Sequence, residues 1–92
     1  MASIIALLSC REAHEGPWIR SQGHETGVRV YPELGSGEEV RIEQEIDEGS
    51  TLITLVTSGR TPLDLATCYR YRAVKVGRGT PTTVEILLNG KP

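Results

Sequence analysis

The chain contains no phenylalanine, one tryptophan and three tyrosines, so aromatic residues make up 4% of its 92 positions. Any aromatic material in a core has to come from Trp18, Tyr31, Tyr69 and Tyr71, and core or subunit interface is the expected place for them rather than a ligand platform. Cysteine is equally sparse. Cys10 and Cys68 lie far apart, in no Cys-x-x-Cys or Cys–His spacing, each beside an apolar run. A secreted domain of this size usually carries several cysteines, so both are expected as reduced, buried thiols. The two histidines, His14 and His24, stand ten residues apart on polar, glycine-flanked stretches, which is not the clustering a metal site needs.

Charge of one sign is also missing. Ten Lys and Arg against twelve Asp and Glu give a net charge of −2 spread along the chain, without the basic patch that nucleic-acid binding requires. No apolar run approaches the ~20 residues of a membrane span. The opening Met1-Ala2-Ser3-Ile4-Ile5-Ala6-Leu7-Leu8-Ser9-Cys10 invites comparison with a signal peptide. It has no basic start, its apolar stretch is five residues long, and no small-x-small site precedes Arg11-Glu12. A first β-strand is the expectation, in a protein made in a reducing cytoplasm.

Helix periodicity is absent too. No segment repeats apolar residues at i, i+3 and i+4 over ten positions, and ten glycines and five prolines interrupt the chain. What remains is strand periodicity at short spacing. In residues 38–46, Val40, Ile42 and Ile46 alternate with Arg41, Glu43 and Glu45, describing a sheet with one buried and one wet face; Gln44 interrupts the apolar side and is expected at the rim. Residues 27–31 alternate similarly up to Pro32, and Gly35-Ser36-Gly37 predicts a hairpin between these two strands. After the turn Asp47-Glu48-Gly49-Ser50, residues 51–57 form a β-branched run apolar on both faces, which predicts a covered central strand or an interface strand. Residues 58–62 read as a loop, and Leu63-Asp64-Leu65 as a short bridging segment. In residues 69–76, Tyr69 and Tyr71 share one face while Val74 and Val76 share the other, so a bulge is expected near Ala73. A last strand over 82–89 places Val84, Ile86 and Leu88 on one face. With residues 4–8 and 18–21, the expected fold is all-β: a small antiparallel β-sandwich or jelly roll of seven to eight strands. It forms one domain, with strands or an arm over 1–26 and a core sandwich over 27–89. Val40, Ile42, Val84 and Ile86 are its expected core.

Three constellations invite a catalytic reading, and none carries one. Cys10 and His14 are close in sequence, but a nucleophile–base pair needs an orienting third group and an oxyanion hole. Glu38, Glu39, Glu43, Glu45, Asp47 and Glu48 read as a solvated strand face, and Asp47 and Glu48 lack the Asp-x-Asp-x-Asp spacing of a calcium loop. Gly77-Arg78-Gly79-Thr80 lacks the Lys-Ser/Thr ending and following helix of a phosphate-binding loop. The expectation is a protein that is not an enzyme and has no cofactor, no metal, and neither nucleic acid nor membrane as partner. The runs at 4–8 and 52–56 are apolar on two successive faces, more than a thin core readily covers, so Ile4, Leu7, Leu8, Leu52, Ile53 and Leu55 are candidate interface residues.

Two segments together resemble small virion proteins of tailed bacteriophages. One is Val40-Arg41-Ile42-Glu43-Gln44-Glu45-Ile46-Asp47-Glu48-Gly49-Ser50, a strand leading into an acidic-Gly-Ser turn. The other is Tyr71-Arg72-Ala73-Val74-Lys75-Val76-Gly77-Arg78-Gly79-Thr80-Pro81-Thr82, a Tyr/Arg strand, a Gly-x-Gly-Thr turn and the start of a final strand. The resemblance covers residues 27–89 and departs at Ile53, where the pattern has an aromatic. It implies a β-sandwich module of the capsid cement or decoration type. Such a module binds across major capsid protein subunits of the phage head, as a homo-oligomer, trimer or dimer, with the trimer favoured by the resemblance alone. A neck or tail component, an Ig-like adhesion domain and a small carbohydrate-binding module are the alternatives; the last needs Trp18 and a tyrosine exposed on one concave face.

Overall fold

The computed structural model describes residues 13–77 and 82–88. Eight strands appear among them: β1 (Ala13–Glu15), β2 (Ile19–Arg20), β3 (Glu25–Tyr31), β4 (Glu39–Asp47), β5 (Ser50–Val56), β6 (Gly59–Pro62), β7 (Arg70–Val76) and β8 (Thr83–Leu88). They form two antiparallel sheets. The larger has the order β1-β7-β4-β5, with β2 also on β7, and the smaller has the order β6-β3-β8. The fold is all-β, a small β-sandwich, as the strand periodicity predicts.

The core lies between the sheets. Val28 and Val30 come from the smaller one, Val40, Ile42, Val56 and Tyr71 from the larger, and Leu65 and Cys68 from the segment that joins them. Val84 and Ile86 pack against this cluster while half-buried. Alternation on β4 works as expected at Val40 and Ile42, then departs. Gln44 is the buried residue, at 3% exposure, and Ile46 is 46% exposed. A carboxamide tolerates that place because its Nε2 donates to the carbonyl of Asp64 at 2.8 Å. Past Gln44 the β4–β5 ladder shifts register between Glu45 and Asp47, and Ile46 stands at that irregularity.

Several connections differ from the sequence reading. β3 and β4 are not a hairpin. Gly35-Ser36-Gly37 turns the chain from one sheet to the other, and β4 pairs with β5 and β7 instead. Residues 59–62 are strand β6, paired with β3 from Val30↔Gly59 to Gly27↔Pro62, rather than loop. Gly27 permits this close approach, since a Cβ there would stand 2.6 Å from the Thr61 carbonyl oxygen. β7 has no bulge at Ala73, and its ladder with β4 runs unbroken from Glu39↔Val76 to Glu45↔Arg70. Tyr71 and Val74 occupy opposite faces of this one regular strand, and both faces are covered. On β8, Leu87 is buried and Leu88 exposed, and the β3–β8 pairing shifts register between Glu25 and Gly27. The boundary placed at residue 26 falls inside β3, and residues 13–26 supply β1, β2 and its beginning.

The joining segment acts as a strap. Leu63 and Leu65 donate backbone N–H bonds to Thr26 and Glu25 of β3, and Leu65 is fully buried between the sheets. The strap continues to Tyr69, whose N–H donates to the Glu45 carbonyl at 2.8 Å. It carries the chain from an edge of one sheet into the middle of the other.

Candidate functional site

Three places on the molecule have enough unusual chemistry to be weighed as a site. The first is a buried carboxylate. Glu25 is 1% exposed, and its two oxygens accept the Gln22 N–H at 2.8 Å, the His24 N–H at 3.1 Å and the Tyr71 hydroxyl at 2.9 Å. Burial pushes its pKa up, but the N–H donors of residues 22, 24 and 25 and the Tyr71 hydroxyl outweigh it and bring the value down to about 2. Tyr71 moves the other way, raised first by burial and then by donating to a carboxylate. Perturbed groups of this kind are candidates for catalysis. This pair is unsuited to it at neutral pH, because the acid holds no proton to give and the phenol holds its proton tightly. A shallow recess beside it is lined by Gly23, His24, Thr26, Asp64 and Ala66. Sequence reasoning did not find Glu25, and no spacing signal marks it. Its donors come from a tight turn and from a strand 46 positions away.

The second place is the outer face of the larger sheet. Cross-strand neighbours Glu43↔Arg72 and Glu45↔Arg70 form ion pairs at 2.8 and 3.0 Å, and Arg72 also reaches Glu15 at 3.1 Å. The guanidinium groups of Arg70 and Arg72 stand over the Trp18 ring, 4.4 and 4.6 Å from its centre. The acidic face expected on β4 is therefore a charge-paired one. Trp18 is half-buried under two arginines and lies outside the core, contrary to a core role. Tyr31 and Tyr69 are exposed, beneath Arg29 and Arg20 respectively, and only Tyr71 joins the core. The Trp18 ring is therefore engaged by two guanidinium groups rather than left bare as a stacking platform for a sugar.

The third place is β5. The β4–β5 register sets Leu52, Thr54 and Val56 beside Gln44, Ile42 and Val40, and sets Thr51, Ile53 and Leu55 beside Glu45, Glu43 and Arg41. Residues directly opposite share a face, so the first set looks inward and the second outward. β5 ends the sheet order, so a covered central strand is excluded among the described residues. Leu52 is 49% exposed, Ile53 51% and Leu55 64%. Only Val56, at the far end of the inward set, is buried. Together with Ile46, these side chains make an apolar margin along the β4–β5 hairpin. Of the six interface residues expected from sequence, Leu52, Ile53 and Leu55 are thus on one open strand. Ile4, Leu7 and Leu8, like Cys10 and the turn at 78–81, lie outside the described residues.

The other sheet margins differ from β5 in one respect. An edge strand is ordinarily blunted by a charge, a proline, a break or brevity. The β1–β2 margin is broken at Gly16-Pro17-Trp18, β6 has four residues including Arg60 and Pro62, and β8 carries Glu85. β5, with seven residues Ser50-Thr51-Leu52-Ile53-Thr54-Leu55-Val56, has none of these features. No metal-binding group of three His, Cys, Asp or Glu side chains occurs among the described residues.

Comparison with known proteins adds no relative: no protein-family model, curated protein or solved structure matches this chain.

Proposed function

We propose that this chain is a non-enzymatic structural module that docks into a protein assembly through the open edge of β5. The observation that carries this reading is the exposure of Leu52, Ile53 and Leu55 on an unblunted, uncharged edge strand. Among the described residues no strand pairs with the outer side of β5, so the edge offers backbone donors and acceptors flanked by apolar side chains, which suits addition of a strand from another chain. Burying the three side chains at ~25 cal/mol per Å² adds several kcal/mol before the cost of association. The rest of the molecule supports a passive role. Glu43 and Glu45 are held by arginines and Glu38 by Lys75, and the buried Glu25 is committed to a turn.

The resemblance of residues 27–89 to small virion proteins of tailed phages narrows the assembly. On that reading the partner is the major capsid protein, the site of action is the phage head, and the module cements joints between subunits as a decoration protein. Many copies bound across a shell act together through multivalency, so a modest single contact suffices. The test is co-sedimentation with assembled heads of the phage that encodes the chain, comparing wild type with Ile53→Lys. Wild type in the head fraction and the variant in the supernatant is the expected result. Wild type left in the supernatant contradicts the cement role.

A further inference from the structure

We infer that β5 pairs with β5 of a second copy of this chain, antiparallel about a twofold axis at Ile53, so that two larger sheets become one continuous sheet. The inference rests on the docking reading above for the β5 edge as the docking surface, and it puts a second copy on that edge, with the capsid contact then made by the paired module elsewhere.

The edge of β5 is self-complementary. An isologous pairing sets every residue against its mirror position. With the axis at Ile53, that residue faces itself, Leu55 faces Thr51 of the second copy, and Leu52 faces Thr54 of the second copy. Each leucine meets a threonine and the isoleucine meets an isoleucine, on both faces of the strand. β-Branched and aliphatic cross-strand pairs of this kind stabilise a sheet, and like charges directly opposite one another would oppose it. None of the seven residues of β5 is charged, in a chain that is 24% charged.

The next strand in places no like charges close together across the axis. Arg41 lies beside Leu55 and Glu45 beside Thr51, symmetrically about the Glu43↔Ile53 pair. Across the axis, the outward row then reads Arg41, Leu55, Thr51 of the second copy, Glu45 of the second copy, with opposite charges at its two ends. These two charges stand three strand spacings apart, and Glu45 is already paired with Arg70, so the row neither opposes the pairing nor adds to it. Glu43 faces its own mirror image only across three strand spacings of ~4.8 Å each. That is beyond the ~8 Å screening length at physiological salt, and Glu43 is already paired with Arg72.

A seven-residue edge covers less than the ~800 Å² per partner of a standard interface. The pairing is therefore weak in dilute solution and becomes significant at high concentration or where a lattice presents two copies together.

Sedimentation velocity on the full chain tests this, from roughly 10 µM to 1 mM, the range in which a weak association is visible. Ile53→Lys and Ile53→Glu are the informative variants, since Ile53 is 51% exposed and both changes leave the core untouched. Wild type is expected to move from monomer to dimer across the range. Each variant alone is expected to dimerise at least ~tenfold more weakly because like charges meet at the axis. An equimolar mixture is expected to recover the dimer, since lysine then faces glutamate. Unchanged melting temperatures of the variants certify that they are folded. Wild type that stays monomeric at every concentration overturns the inference, whether the amides of 50–56 exchange slowly, with residues 1–12 of the same chain on the edge, or rapidly, with the edge open to a different protein. Dimerisation of both variants like wild type, or a mixture that recovers nothing, overturns the axis at Ile53. Head binding by a chain that never dimerises overturns the second copy and leaves the docking reading standing.

Discussion

Glu25 shows how one residue sets conditions on the whole fold. Its carboxyl has a pKa of about 2 when folded, against an ordinary value of 4.5. A depressed folded value means the stabilisation is fully present above about pH 4.5 and is lost as pH falls from there toward 2. A shift of that size corresponds to about 3 kcal/mol. Glu38 is lowered too, by its bond to the Lys75 ammonium and by the Gly35 N–H, and loses its contribution in the same direction. Urea midpoints should therefore fall between pH 7 and pH 3, and Glu25→Gln should flatten most of that fall while lowering the midpoint at pH 7. An equally steep fall in the variant would mean that the acid sensitivity lies elsewhere. Ile42 and Ile46 supply a second contrast. Both lie on the alternation of β4, yet one is 1% exposed and the other 46%. Ile42→Ala should cost about 2–5 kcal/mol, close to unfolding a domain that holds about 5–10. Ile46→Ala should stay within about 0.5 kcal/mol. Equal costs would contradict the placement of Gln44 inside.

At the scale of the element, strand existence was legible and strand partnership was not. Val40, Ile42, Val28 and Val30 announce their faces because period-2 alternation is a local property. Gln44 sits inside because it reaches a carbonyl 20 positions away, which no local pattern displays. Gly35-Ser36-Gly37 states that the chain turns, not which strand it turns toward, and the expected hairpin proves to be a crossing between sheets. Residues 59–62 look like loop by composition and become β6 because β3 needs a neighbour. Gly27 makes that neighbour possible, so Gly27→Ala should cost about 1–3 kcal/mol through overpacking against the Thr61 carbonyl. Chemical denaturation measures it, and a neutral result would mean that β6 is free to move aside. β5 was legible as apolar on both faces, but apolar runs read alike in the middle of a sheet and at its margin. Only the sheet order separates a covered strand from an open one.

For the whole molecule, we propose that a sandwich whose other described edges are blunted uses the β5 edge for assembly. The strap at residues 63–69 and the plug Leu65 close the interior, the arginine–carboxylate pairs cover one outer face, and β5 is the long uncharged edge among the described residues, where we propose that another chain adds. The docking residues were half legible: sequence placed Leu52, Ile53 and Leu55 together, while their exposure follows only from the five-to-three strand arrangement of the sheets. The decisive measurement is amide hydrogen exchange, residue by residue, on the dilute free chain and on the chain bound to heads. The amides of residues 50–56 facing away from β4 should exchange quickly in the free chain and become strongly protected when bound, with β6 and β8 unchanged. Protection that falls on β6, β8 or the Trp18 face while β5 keeps its free-chain rates would contradict assembly through β5.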